Sequence, residues 1–220
     1  MFAWTGAALF VSSLLFFVFR YVVAFAQPAA LTPASAPLVD VLLFSIFALH
    51  HSLFVRDRVR AWMSRVVPAE HERTVYVWIA SLLFFATCAL WRPVAGVVWE
   101  VTGAARGVLW VLQAFGVWLT VQSAATIGVL VLAGVRPAPG TGFKANGPYD
   151  WVRHPIYTAW FLLVFATSPM TMTRLVFAVT SGAYLLLAIP FEERALLRAS
   201  AGDYERYRNE VRWKLIPGLY

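Results

Sequence analysis

The chain has 220 residues, 60% of them hydrophobic and 13% charged, with a mean hydropathy of +0.69 and a net charge of +7. A soluble domain carries about 25% charged residues, so this composition excludes an ordinary water-soluble fold and points to the membrane. The basic excess falls between apolar runs, which excludes a nucleic-acid partner, and the single Cys88 excludes an intramolecular disulfide.

A crossing helix needs about 20 mostly apolar residues. The apolar runs predict six. The first covers 3–26, interrupted only by Arg20, and ends before Gln27-Pro28. No basic segment precedes it, so it is expected to be a retained helix and not a cleaved signal. The second covers 38–55, with Asp40 near one end and His50-His51-Ser52 near the other. The third covers 74–91 and is closed by Arg92-Pro93; the fourth covers 107–133. Cys88 lies in the third run, as a small packing residue. The fifth, 156–170, and the sixth, 174–191, are short and joined by a turn near Thr171 to Arg174, which predicts a helical hairpin. Beyond it, Tyr204, Tyr207 and Val211 recur at i, i+3 and i+7 among alternating charges. That pattern predicts an amphipathic helix lying on the membrane surface or folded over the hairpin.

The expected fold class is therefore all-α: an integral membrane protein with about six transmembrane helices, a C-terminal helical hairpin and a cytosolic amphipathic tail helix. Residues 1–133 are expected to form an N-terminal domain of four helices, and 134–220 a domain of loop, hairpin and tail. Fourteen of the 18 Lys and Arg fall after the second helix, after the fourth and after the sixth. In a six-helix topology these segments share one side, so basic bias puts both termini in the cytoplasm.

The densest polar feature borders two of the most apolar segments. It runs Gly147-Pro148-Tyr149-Asp150-Trp151-Val152-Arg153-His154-Pro155-Ile156-Tyr157 and is followed, after the hairpin, by Glu192-Glu193. Ionisable groups beside spanning segments are expensive and mark a functional site. Pro155 suits the first turn of a helix, which puts His154 at the positive end of the helix dipole, where a ligand carboxylate is favoured. Arg153 adds a bidentate donor for that carboxylate. Glu192 and Glu193 suit an ammonium group or ribose hydroxyls, and Tyr149 and Tyr157 suit a purine or thioether. S-adenosylmethionine satisfies all of these groups; a nicotinamide dinucleotide, whose diphosphate wants more basic residues, satisfies them less well. The bland alternative is a basic helix flank, a helix-starting proline and a solvated helix end.

The pattern Gly-x-Tyr-x-x-x-Arg-His-Pro-x-Tyr, then an apolar hairpin, then Glu-Glu-x-x-Leu and Tyr-x-x-Tyr, resembles the isoprenylcysteine carboxyl methyltransferase superfamily. Phospholipid methyltransferases and bacterial methanethiol S-methyltransferases share it. The resemblance covers about the last 80 residues, from Gly147 to Tyr157, Glu192 to Leu196, and Tyr204 with Tyr207. It implies a membrane enzyme of the bacterial inner membrane that binds S-adenosylmethionine at the cytosolic face. Thr141, Gly142, Phe143, Lys144, Tyr149, His154, Pro155, Ile156, Tyr157 and Glu193 would line the cofactor pocket, with Arg153 and Glu192 supporting it. In the N-terminal half, His50-His51-Ser52, Glu72-Arg73 with Tyr76, and Trp91-Arg92-Pro93 are similar to the methanethiol group, as is Ser168-Pro169-Met170-Thr171. The chain departs from that group at Thr126 to Leu132, where a segment with His and acid is expected. It departs from the prenylcysteine enzymes at Ala188-Ile189-Pro190.

The expected chemistry is methyl transfer to a small thiol or a lipidic acceptor, with membrane lipid as partner. A thiol or amine acceptor must lose a proton, and His51 or its neighbour His50 is the candidate base. No zinc spacing joins His50, His51, His71 and His154. Two other classes stay open at this stage: an NADPH-dependent membrane reductase of the sterol or steroid type, and a non-enzymatic membrane subunit linked to nitrogen-oxide respiration.

Overall fold

The computed structural model describes residues 1–54, 57–68, 70–136, 146–200 and 202–220. Five of its helices are long and apolar enough to cross a membrane: α1 (Phe2–Ala24), α2 (Ala36–Leu53), α4 (Glu72–Leu90), α5 (Gly103–Ile127) and α8 (Met172–Ala199). Shorter helices are α3 (Asp57–Met63), α6 (Val129–Leu132), α7 (Pro155–Phe165) and α9 (Asp203–Glu210). The chain is an all-α integral membrane protein, with one small antiparallel ladder between β1 (Val97–Trp99) and β2 (Met170–Thr171) among the described residues.

Three boundaries differ from those the apolar runs predict. The fourth helix does not run unbroken to 133. It stops at Ile127 because Gly128 takes φ +105°, a conformation open to a residue without Cβ, and the chain restarts as α6. The fifth run does not fill 156–170. Its helix α7 has 11 residues, about 16 Å of rise against a hydrocarbon core of about 30 Å. Met170 and Thr171 are instead drawn into pairing with Trp99 and Val97, a long-range contact invisible to hydropathy. The expected six spans thus become five long helices and one short apolar one. The sixth helix is longer than 174–191. It passes through Pro190, which removes one backbone hydrogen bond, so Glu192 and Glu193 lie inside α8 and not at its end.

Contacts divide the chain into two compact units. The first comprises Met1–Trp99, Leu130–Pro137 and Pro169–Thr180. Here α4 packs between α1 and α2. The core is aromatic. Phe177 is fully buried, and the rings of Phe17, Tyr21, Phe25, Phe44 and Trp91 stand 5.0–5.9 Å from it. Ring pairs at such spacing add about 0.5–1.5 kcal/mol each beyond the area they bury.

The second unit comprises Glu100–Val129, Ala138–Ser168 and Ser181–Tyr220. In it α5 packs on α7 at Gly116, where a Cβ would meet the Leu162 Cβ at 3.1 Å and the Ala159 carbonyl at 3.2 Å. Any larger residue would push the two helices apart. The stripe of Tyr204, Tyr207 and Val211 on and just after α9 is buried against Leu196 and Leu197 of α8. The tail helix thus folds back onto the C-terminal end of α8.

Candidate active site

The site grows from the start of α7. Gly147, at φ +62°, opens a tight 3₁₀ turn through Asp150, and Pro155 begins the helix two residues after Arg153. The intervening backbone cannot bond within a helix. Its N–H groups go to the tail instead: Arg153 N donates to the Trp213 carbonyl at 2.9 Å and His154 N to the Lys214 carbonyl at 2.9 Å. The Thr158 hydroxyl donates to the Leu215 carbonyl at 2.7 Å. At the other end of the turn, the Tyr207 hydroxyl donates to the Tyr149 carbonyl at 2.7 Å. Burial pushes the phenols of Tyr149, Tyr204 and Tyr207 above the ordinary tyrosine range, so they act as neutral groups.

Side chains from the entrance of α7, from α7 itself and from α8 then form one continuous cluster. Arg153 donates through Nε to Glu193 Oε1 at 2.7 Å. The same oxygen lies 3.3 Å from His154 Nε2. The other ring nitrogen, His154 Nδ1, lies 3.7 Å from Glu192 Oε2. That oxygen accepts the Tyr157 hydroxyl at 2.7 Å. Tyr157 stacks on His154, with ring centroids 5.3 Å apart and planes 15° off parallel. His154 therefore sits between two carboxylates of different character. Glu193 is buried with Arg153, whereas the Glu192 side chain is 46% exposed. A buried, paired carboxylate orients its neighbours; an open one can meet a ligand.

The structure thus brings together Tyr149, Arg153, His154, Pro155, Ile156, Tyr157, Glu192 and Glu193 in the second unit. Arg153 has a further task that its sequence position does not reveal. Its Nη1 donates to the Val211 and Arg212 carbonyls at 2.9 and 2.6 Å, so most of the guanidinium is committed to the protein itself. Thr141, Gly142, Phe143 and Lys144 lie outside the described residues. His51 belongs to the first unit, at the end of α2, where its Nδ1 lies 2.7 Å from the Tyr76 hydroxyl. Its neighbour His50 is buried between Phe54 and Tyr76, with neither ring nitrogen hydrogen-bonded among the described residues. The carbonyls of residues 211 to 215 are the part of the site that sequence reasoning missed. Val211 closes the Tyr204–Tyr207 stripe and marks where the chain turns back, but a carbonyl carries no sequence signal.

The isoprenylcysteine carboxyl methyltransferase (ICMT) family model matches residues 108–198, a range that holds the whole His154–Glu193 cluster. Across 187 residues the chain is 37% identical to a methanethiol S-methyltransferase of Mycobacterium tuberculosis, covering 80% of this chain and 76% of that one. The chain belongs to the isoprenylcysteine carboxyl methyltransferase family. It is 36% identical over 194 residues to a methanethiol S-methyltransferase of Pseudomonas deceptionensis, covering 84% of this chain and 74% of that one. A Nurim homolog of Drosophila melanogaster is 28% identical over 176 residues, covering 72% of this chain and 69% of that one. No solved structure matches the chain. As a member of this family the chain is a membrane methyltransferase, which sets aside both the reductase and the non-enzymatic subunit.

Proposed function

We propose that this methyltransferase moves the methyl group of S-adenosylmethionine to a small thiol at the cytosolic face of a bacterial inner membrane. The observation that carries the reading is the His154 cluster: one buried carboxylate, one open carboxylate and a ring stack at a helix start, in a chain similar to enzymes named for methanethiol.

The donor set suits the cofactor. Glu192 offers an open carboxylate to an ammonium group or to ribose hydroxyls, and Tyr149 and Tyr157 offer ring faces to the adenine. Glu193, pinned by Arg153, holds the His154 ring in place. When bound, S-adenosylmethionine supplies a methyl carried on a positively charged sulfur. The protein's own work is then mainly placement, and holding two reactants in near-attack geometry supplies about 7–11 kcal/mol. His51 is the proposed base for the thiol proton; its Nε2 accepts in the tautomer whose Nδ1–H donates to the Tyr76 hydroxyl.

The similarity to methanethiol enzymes favours a small thiol over a lipidic acceptor, despite the departure at Thr126 to Leu132. The basic segments favour the cytosolic assignment of the site and termini.

Calorimetric titration of the detergent-purified protein with S-adenosylmethionine, S-adenosylhomocysteine and NADPH tests the donor, and headspace detection of methylated thiol tests the acceptor. Saturable binding of the adenosyl ligands alone, with dimethyl sulfide formed from methanethiol, is expected. Absence of adenosyl binding sinks the donor assignment; binding with no thiol product sinks the acceptor.

A further inference from the structure

We infer that the segment after α9 is a membrane-surface contact whose backbone grips the donor turn, so that lipid contact sets donor affinity. This rests on the donor reading given above.

The segment has two faces. Its inner face is backbone. The carbonyls of residues 211 to 215 take up the Arg153 guanidinium, the N–H groups of Arg153 and His154, and the Thr158 hydroxyl. Its outer face is side chain. Trp213, Ile216, Leu219 and Tyr220 are 39%, 49%, 75% and 43% exposed. Lys214 sits over the Tyr220 ring at 4.5 Å, so a cation flanks this apolar surface, and Arg212 adds another. The segment also closes on itself: the N–H groups of Lys214, Leu215 and Ile216 all donate to the Tyr220 carbonyl at 2.8–3.0 Å. It is a closed loop, held inside by hydrogen bonds and with its apolar side chains partly to mostly exposed outside.

The identity of the occupant follows from three observations. Exposed Trp and Tyr with flanking Lys and Arg match the headgroup zone of a bilayer with anionic lipid. The apolar face that α9 might have offered to lipid is buried in the protein, so the contact falls to the loop that follows. Independently, Trp151, two residues before Arg153, is half exposed and stacks on Trp118 of the spanning helix α5, with centroids 5.9 Å apart. That pair places an aromatic interface marker at the same turn. A loop that touches lipid on one side and holds Arg153 and His154 on the other makes the donor site sensitive to bilayer contact.

Two measurements test this. A spin label on Leu219→Cys, selective because Cys88 is buried, is expected to be more accessible to oxygen than to a water-soluble relaxant in nanodiscs containing phosphatidylglycerol. S-adenosylhomocysteine titration is expected to give tighter binding in those nanodiscs than in detergent. In the nanodiscs, Trp213→Ser with Leu219→Ser should weaken binding by about five- to tenfold, the low end of typical site-to-site coupling. Its melting temperature in detergent should match wild type. A label in water, or one shielded by a second copy of the chain, overturns the lipid contact. Equal affinity for the double variant and wild type overturns the coupling. If wild type binds no adenosyl ligand in any environment, the donor reading fails and the coupling with it, while the label judges the lipid contact alone.

Discussion

Arg174 and Arg153 are both buried arginines of a membrane protein, 3% and 8% exposed, and the two units use them differently. In the first unit Arg174 meets backbone. Its Nε, Nη1 and Nη2 donate to the carbonyls of Tyr21, Pro169 and Val22 at 2.9, 2.6 and 3.0 Å, and its guanidinium lies 5.4 Å from the Tyr21 ring. Arg20, in the same unit, likewise donates to the Cys88 carbonyl at 3.0 Å. In the second unit Arg153 meets both backbone and a carboxylate, and that carboxylate leads through His154 to the open Glu192. A buried charge satisfied by carbonyls ends in the scaffold. A buried charge satisfied by another titratable group, with a route to an open one, is what a ligand site requires. Burying a charge is costly in either case, so the partner's chemistry, not the burial, is what distinguishes the two.

The largest expected effect comes from Arg174. Arg174→Leu leaves three carbonyls, that of Tyr21 buried, without their charged donor, and hydrogen bonds to charged groups are worth about 1.5–3 kcal/mol each. No monodisperse protein is expected on size-exclusion chromatography. A folded but inactive Arg174→Leu would break the comparison, because it would move Arg174 into the site.

Glu193→Gln comes next. The amide keeps the shape and an acceptor for Arg153 but leaves the guanidinium without its counter-charge. Breaking a buried pair costs about 3–5 kcal/mol, and the retained acceptor puts this change at the lower end. The variant is expected to extract as a folded species with a lowered melting temperature and to bind no S-adenosylhomocysteine by calorimetry. His154→Ala is expected to lose binding in the same way. Full retention of binding by both would return the cluster to the scaffold.

His51→Gln sharpens the contrast from the other side. As a base, His51 should matter to turnover and not to the donor. S-adenosylhomocysteine affinity is expected to stay at the wild-type value while thiol methylation slows by at least about 100-fold, the usual contribution of a positioned base. Unchanged turnover would remove His51 from the chemistry.

The reach of the sequence follows the same division. The spans were legible because hydropathy averages over a window, and all five long helices begin within about four residues of an apolar run. The same averaging hides local events. Gly128 reads as one more small residue in a long run, yet its positive φ ends α5. Met170 and Thr171 read as helix, yet they pair with a strand some 70 residues earlier. At the site, the residue types stand out in the sequence because Arg, His and paired Glu are costly beside apolar helices. Their wiring does not. The sequence pattern offered Arg153 to a ligand, but carbonyls almost 60 residues away take up its Nη1 and Glu193 takes its Nε. Such contacts join backbone to side chain across the fold, and no spacing rule encodes them.

The smallest effect is the one that resolves the two glutamates. Tyr157→Phe keeps the ring that stacks on His154 and removes only the hydroxyl that donates to Glu192. Glu192 is half exposed, so water replaces much of what is lost, and the net change is expected near 1 kcal/mol. That corresponds to roughly a fivefold weaker S-adenosylhomocysteine affinity, with the rate at saturating donor unchanged, because the hydroxyl donates to the open carboxylate of Glu192. A larger loss, on the scale of Glu193→Gln, would mean that the hydroxyl and not Glu193 fixes His154. No loss at all would mean that His154 Nδ1 alone suffices to hold Glu192, and that Tyr157 serves the donor through its ring.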